Sequence, residues 1–240
     1  ALNLVALWKQ EPRNRELARE MDTRRTVPFG EAWRELTARP GMMRLMLVIG
    51  CGTFGFGMAD VLLEPYGGQA LGFSVAETTR LTALLALGTL SGFAVASRVL
   101  SGPFPAETLG CIGAAIGIPG FIAIIMSSMG GGSGVFLAGT LATGIGAGLF
   151  GHATLTATIR SASKGQIGLA LGTWGAVQAT CAGLGVALAG IVRDYIVGLQ
   201  VPGGLSAYAP YNYVFGIEIV FLSMAVILAF SWERRALSRR

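Results

Sequence analysis

Long apolar stretches with almost no charge constrain the fold of this sequence more than any other feature. Charged residues make up only 13% of the chain, against about 25% in soluble domains. Most of them lie in segments 8–44 and 232–240, and the apolar runs between these segments are each long enough to cross a bilayer as a helix of roughly 20 residues. The runs show no alternation with period two, so a membrane barrel is excluded. The sequence therefore predicts an all-α integral membrane protein.

Proline and glycine clusters divide the apolar region 42–232 into six predicted membrane spans. Pro65, Gly67 and Gly68 are expected to end the first span, because proline and paired glycines break helices. Pairs of glycines four residues apart predict close packing between helices in lipid, and they occur at Gly113/Gly117, Gly144/Gly148 and Gly168/Gly172. The six predicted spans are Met42–Leu63, Glu77–Leu100, Ala106–Met129, Ser133–Ile159, Gln166–Val197 and Tyr211–Trp232.

Three segments flank the predicted bundle, two before it and one after it. Residues 1–8 are apolar and are predicted to be the end of a preceding membrane helix, so we expect the sequence to be a C-terminal piece of a longer protein. Residues 9–41 form a predicted cytoplasmic connector with a short interfacial helix, on which Phe29, Trp33 and Leu36 make one apolar stripe. Residues 233–240 form a predicted basic cytoplasmic tail.

The distribution of basic residues predicts the orientation. With the connector on the inside, 16 of the 18 lysines and arginines lie on the cytoplasmic side, as the positive-inside rule requires. The net charge of +5 does not indicate nucleic-acid binding, because the basic residues sit at the ends and turns of apolar segments. The partner predicted from composition is the lipid bilayer.

His152 is the only histidine and lies inside the fourth span. Ionisable groups inside a membrane are expensive and usually functional. A neutral imidazole can act as an axial ligand to a metal, including the magnesium of a chlorin ring, and Gly148 and Gly151 are expected to leave room beside it. A packing histidine that is hydrogen-bonded to a neighbouring helix is the competing interpretation.

Four charged residues are predicted to lie at the outer ends of the helices: Asp60, Glu64, Arg80 and Arg193. Asp60 and Glu64 are one helical turn apart, so their carboxylates repel unless a cation, a proton or water intervenes. An ion-pair cluster that fixes the helix ends is the favoured hypothesis, with a proton or substrate site as the other one.

Glu218 lies about two turns into the last span. A lone carboxylate there is costly unless it is protonated or paired, and Gln178 is a possible hydrogen-bond donor to it. Nothing in the sequence resembles a nucleotide-binding loop, a zinc site or a nucleophile triad. We therefore expect no enzyme activity.

Several stretches of the sequence resemble the PucC/LhaA family, also called the bacteriochlorophyll delivery family, a branch of the major facilitator superfamily. Together they extend over nearly all six predicted spans. They are VALWKQE (5–11), FGFGMADVLLEPYGGQALGFSV (54–75), IGIPGF (116–121), GHATLTATIR (151–160) and GQIGLALGTWGAVQATCAGLGVALAGIVRD (165–194).

The resemblance implies that this chain is the C-terminal half of a twelve-helix protein in a bacterial inner, photosynthetic membrane. It also implies a role in assembling light-harvesting antenna complexes by delivering bacteriochlorophyll to antenna polypeptides, with the reaction-centre complex as a further partner. His152 is then the expected magnesium ligand, and Gly148, Gly151, Trp174, Gln178 and Glu218 complete the candidate binding set. A proton-coupled solute transporter that uses Glu218, Asp60 and Glu64 is the main rival hypothesis.

Overall fold

The computed structural model describes residues 28–163, 165–199 and 206–237, and these residues form helices and turns with no strand. The all-helical prediction is confirmed. The predicted end of a preceding helix at 1–8 and most of the predicted connector lie outside the described residues. The helices are α1 (Phe29–Ala38), α2 (Met42–Gly57), α3 (Ala59–Ala70), α4 (Val75–Leu100), α5 (Ala106–Met126), α6 (Gly132–Ser161), α7 (Ile167–Gly198) and α8 (Ala209–Leu237).

Five apolar helical segments are long enough to cross a membrane, and one of them, Ala106–Ser161, has 56 residues. This segment contains a π-helical turn at Ser127–Gly131, within which Met129 and Gly130 leave helical geometry. Contacts of Gly113 with Gly146 and of Gly120 with Thr143 show that α5 and α6 then run antiparallel. The segment is therefore a hairpin of two helices, which gives six candidate membrane-spanning helices among the described residues.

The first predicted span ends later than expected. The prediction that it stops at Leu63 is wrong, because the helical segment continues from Met42 to Ala70, and Met58, between α2 and α3, keeps helical backbone angles with φ of -71° and ψ of -34°. Pro65 lies inside α3 without ending it. The chain leaves the helix where Gly72 adopts a left-handed backbone with φ of 71°, a conformation that glycine adopts at little cost.

Glycines bring the backbones of three consecutive helices into contact. A Cβ on Gly88 of α4 would lie 3.1 Å from the Cα of Gly144, and one on Gly113 of α5 would lie 2.7 Å from the backbone nitrogen of Phe150. Close approach of this kind is how small residues stabilise helix pairs in lipid. On α7, by contrast, a Cβ added to Gly168 or Gly172 would meet no other helix within 4 Å among the described residues, so this predicted packing pair is not used inside the bundle.

Arginine side chains satisfy backbone carbonyls at one end of the bundle, which we call the basic end. Arg160 donates to the carbonyl of Leu100 at 2.7 Å and to that of Phe104 at 3.1 Å, which joins α6 to the α4–α5 turn. Arg39 donates to the carbonyl of Ser161 at 3.1 Å. The last carbonyls of a helix lack partners within the helix, so both arginines act as caps. The end of the bundle away from them is called the opposite end.

Candidate functional site

His152 lies on α6 between the middle of the bundle and the basic end, with its side chain half-buried. Its ring meets the ring of Phe93 of α4 edge-on, with centroids 5.7 Å apart and an interplanar angle of 89°. Thr156 Oγ1 donates to the backbone carbonyl of His152 at 2.9 Å. Among the described residues, neither ring nitrogen of His152 has a hydrogen-bond partner, so the imidazole is held by packing and keeps its nitrogens free.

Gly148 does not leave open space beside His152, contrary to the expectation from the sequence. A Cβ on Gly148 would lie 3.0 Å from the backbone nitrogen of Phe93 and would overlap the carbonyl of Thr89, so α4 fills that side and no ligand surface remains there. A Cβ on Gly151 would meet only the tip of Phe93, at 3.7 Å. The room beside the imidazole is therefore at Gly151.

Trp174 and Gln178 lie on α7, one turn apart and both half-buried. Trp174 Nε1 donates a long hydrogen bond of 3.4 Å to Thr154 Oγ1 of α6. Residues two apart on a helix point about 200° from each other, so Thr154 and His152 face opposite sides of α6. The structure thus places Trp174 on the other side of α6 from the imidazole, and the predicted binding residues do not form one cluster.

Glu218 of α8 is fully buried, with no part of the residue exposed. Among the described residues no hydrogen bond joins the Glu218 carboxylate to Gln178, so the possible donor that the sequence offered is not used. Counted along the helices at 1.5 Å per residue, Glu218 lies about 15 Å closer to the opposite end than His152 does. The two candidate residues therefore belong to separate sites.

The four predicted outer-end charges do not form a single cluster. Glu64 accepts a hydrogen bond from Thr82, Arg193 pairs with Asp194 at 2.8 Å, and Arg80 is exposed. Asp60 is also exposed, and because α3 continues to Ala70 it lies about 15 Å inside the helix end. The predicted position of Asp60 differs from the observed one because the helix is longer than expected. With the helix ending at Leu63, Asp60 would have been in the last turn at the outer end.

A network that sequence reasoning missed joins three helices at the opposite end. Gln69 Oε1 accepts hydrogen bonds from Tyr211 Oη at 2.6 Å and from Arg193 Nη2 at 3.2 Å. The Arg193 guanidinium carbon also lies 5.5 Å from the centre of the Tyr211 ring, within the range of a cation–π contact. Gln69 lies in the EPYGGQ string. A polar residue that follows two glycines at the end of an apolar run is the sequence feature that could have indicated this network.

The described residues contain no group of three or more histidine, cysteine, aspartate or glutamate side chains that could hold a metal ion. His152 is a single imidazole outside any such group, and imidazole is the commonest metal ligand among side chains.

Comparisons with known proteins agree with one another. Protein PucC of Rhodobacter capsulatus is 59% identical over 232 residues, which cover 95% of this chain and 50% of that protein. Protein PucC of Cereibacter sphaeroides is 50% identical over 239 residues, 100% of this chain and 52% of that protein. A more distant match, at 25% identity over 95% of this chain and 52% of that protein, is the bacteriochlorophyll synthase 44.5 kDa chain of Rhodobacter capsulatus.

The family comparison extends over almost the whole sequence. The chain spans about half the length of the curated relatives it matches. The model of the family described as PUCC protein matches residues 1–236. The chain therefore belongs to the PUCC protein family.

Proposed function

We propose that this chain is part of a membrane assembly factor that binds bacteriochlorophyll and delivers it to the antenna polypeptides of light-harvesting complexes. The observation that carries the proposal is the pair of free ring nitrogens on His152, which packs edge-on against Phe93. Membership of the PUCC protein family supports it, and so does the distant similarity to a protein named as a bacteriochlorophyll synthase chain.

The residues around His152 fit a macrocycle that needs one nitrogen ligand and a flat apolar surface. One imidazole nitrogen would ligate the magnesium, which the pigment brings with it. The Phe93 ring contacts the imidazole from α4 and restricts its rotation. Gly151 leaves the adjacent surface open, and Gly148 contributes by holding α4 and α6 together rather than by touching a ligand. Binding and release of the pigment on this side of the bundle require no covalent chemistry, and the proposal includes no enzyme activity.

The proposed architecture is the C-terminal half of a twelve-helix protein of the major facilitator type. Six crossing helices and a match to about half the length of the relatives support it. Exposed apolar side chains on α4 and α7, such as Leu90 and Ile191, leave surface for a second half to cover. The basic end would face the cytoplasm of a bacterial inner, photosynthetic membrane, because basic residues are retained on that side. Antenna polypeptides and the reaction-centre complex are the proposed partners.

The test is the near-infrared absorption of the purified full-length protein, isolated from pigment-producing cells. We expect bound bacteriochlorophyll in the unsubstituted protein and its loss in His152→Ala. Thr156→Ala is the matched control, because it removes a side chain one turn away that bonds only to the His152 backbone carbonyl. The control should keep its pigment.

The possible results separate the hypotheses. Pigment retained in His152→Ala would remove this residue as the ligand. A pigment-free protein that carries a small solute together with protons would replace the assembly function with transport.

A further inference from the structure

A cleft at the basic end of the bundle lies on the other side of α6 from His152. Residues of α2, α5, α6 and α8 line it, and it holds about 450 Å³ of space, part of which is open to the surroundings. Small or apolar side chains such as Leu45, Ala106 and Ala157 form much of its wall. Thr154 also lines the cleft, and it points about 200° away from His152 around α6. The cleft is therefore separate from the proposed pigment site.

A second cleft, between α5 and α8, adjoins the first one. Glu107 and Ala229 line both, so the two clefts form a continuous space, which we call the basic-end groove. Ile112 and Phe230 line its second part, and their side chains are 40% and 55% exposed. Exposed apolar side chains on helices long and apolar enough to cross a membrane face lipid chains, because lipid is the solvent there. The groove therefore opens from the helix ends toward the apolar part of the bilayer.

Two opposite charges line the first part of the groove without neutralising each other. Arg44 lies in the first turn of α2 and Glu107 in the first turn of α5, and both side chains are half-buried. Neither has a hydrogen bond or an ion pair with another residue in the part of the chain that the structure describes. Arg39 and Arg160, at the same end, already donate to backbone carbonyls. Arg44 and Glu107 are thus available, as a cation and a carboxylate, to bind a ligand.

We propose that the basic-end groove binds a zwitterionic phospholipid whose headgroup carries a protonated primary amine. The phosphate accepts hydrogen bonds from Arg44, the ammonium donates to Glu107, and one acyl chain lies along Ile112 and Phe230. Hydrogen bonds between charged groups are shorter and stronger than neutral ones. An anionic headgroup without an amine places a second negative charge near Glu107, and a choline headgroup has no N–H to donate to it. Both charges lie in first helical turns, at the depth of the lipid headgroups.

Lipid binding to the full-length protein in detergent, measured by native mass spectrometry, tests this proposal. The probes are phosphatidylethanolamine, phosphatidylcholine and phosphatidylglycerol with identical acyl chains. We expect phosphatidylethanolamine to bind about tenfold more tightly than the other two, which is the effect of one hydrogen bond to a charged group. This series requires no substitution. Equal binding of the three lipids would overturn the proposal, and so would a preference for phosphatidylglycerol, since that would assign the groove to an anionic lipid.

Substitutions locate the binding site. Arg44→Gln should weaken the binding of phosphatidylethanolamine about tenfold, whereas Arg98→Gln, which removes an exposed arginine at the same end, should leave it unchanged. Glu107→Gln should remove the preference for phosphatidylethanolamine, and the control Glu31→Gln, exposed on α1, should keep it. His152→Ala should bind the lipid normally, so a failure of the pigment site does not affect this test. Unchanged binding in both Arg44→Gln and Glu107→Gln would overturn the proposal.

Discussion

A Cβ on Gly148 of α6 would overlap the backbone carbonyl oxygen of Thr89 of α4 and lie 2.9 Å from its carbonyl carbon. The two backbones are thus too close for any side chain at this position. Gly144, one turn earlier, makes the same kind of approach to Leu85 and Gly88. The pair of glycines fixes the distance between α4 and α6, and the position of Phe93 beside His152 depends on it.

We predict that Gly148→Ala destabilises the protein by about 1–3 kcal/mol, the usual cost of overpacking. Differential scanning of the full-length protein in detergent would show this as a lower melting temperature. Gly172→Ala on α7 is the control, because a Cβ there would meet nothing within 4 Å and alanine has a higher helix propensity than glycine. Equal effects of the two substitutions would contradict the assignment of Gly148 to packing.

Filling the open side of His152 should affect ligand binding without unfolding the bundle. A Cβ on Gly151 meets only Phe93, at 3.7 Å, so we predict that Gly151→Ala folds normally and that Gly151→Leu retains less bacteriochlorophyll because its side chain occupies the proposed surface. Pigment absorbance per protein measures the change. Gly172→Leu, also at an open position, should retain normal pigment, and a comparable loss there would argue against a site at Gly151.

The network at the opposite end should contribute measurable stability. Tyr211→Phe removes the 2.6 Å hydrogen bond to Gln69, and we predict a loss of about 1 kcal/mol in the free energy of unfolding. Tyr213→Phe removes a hydroxyl from a side chain that is 61% exposed and should have little effect. Thermal melts of both variants check the prediction, which fails if Tyr211→Phe is as stable as the control.

Arg160 is predicted to stabilise the basic end through its hydrogen bonds more than through its charge. Arg160→Met removes the donors to Leu100 and Phe104, so we expect a loss of about 1.5–3 kcal/mol and faster proteolysis in the turn 101–105. Arg98→Met removes the same charge from an exposed side chain. If both variants were cut at the same rate, charge alone would explain the role of Arg160.

The number of spans could be predicted from the sequence because lipid imposes a simple requirement. A helix has to present apolar side chains for about 20 residues, and this signal needs no knowledge of neighbouring helices. The end of the first span was mispredicted because Pro65 and Gly67 break helices only on average. Here Gly67 packs against α4, where a Cβ would lie 2.9 Å from Leu81, and the helix continues through it.

The candidate site was predictable only residue by residue. His152 and Glu218 stood out because polar groups in lipid are costly. Which residues meet, however, depends on how the helices pack, and no local pattern indicates that. Trp174 therefore proved to lie across α6 from His152, Glu218 has no bond to Gln178, and Phe93 was not singled out because an aromatic residue in a membrane span is ordinary.

The glycine contacts also determine the order in which the bundle can be completed during synthesis. Helices α4, α5 and α6 follow one another and pack together as soon as they are made, whereas Gly57, just before α3, meets its partner Ala182 only on α7. At 5–20 residues per second, the ribosome needs roughly ten seconds to travel from one to the other. The first helix of the bundle can therefore contact α5 and α6 through Phe56 and Gly52 well before its contact with α7 can form.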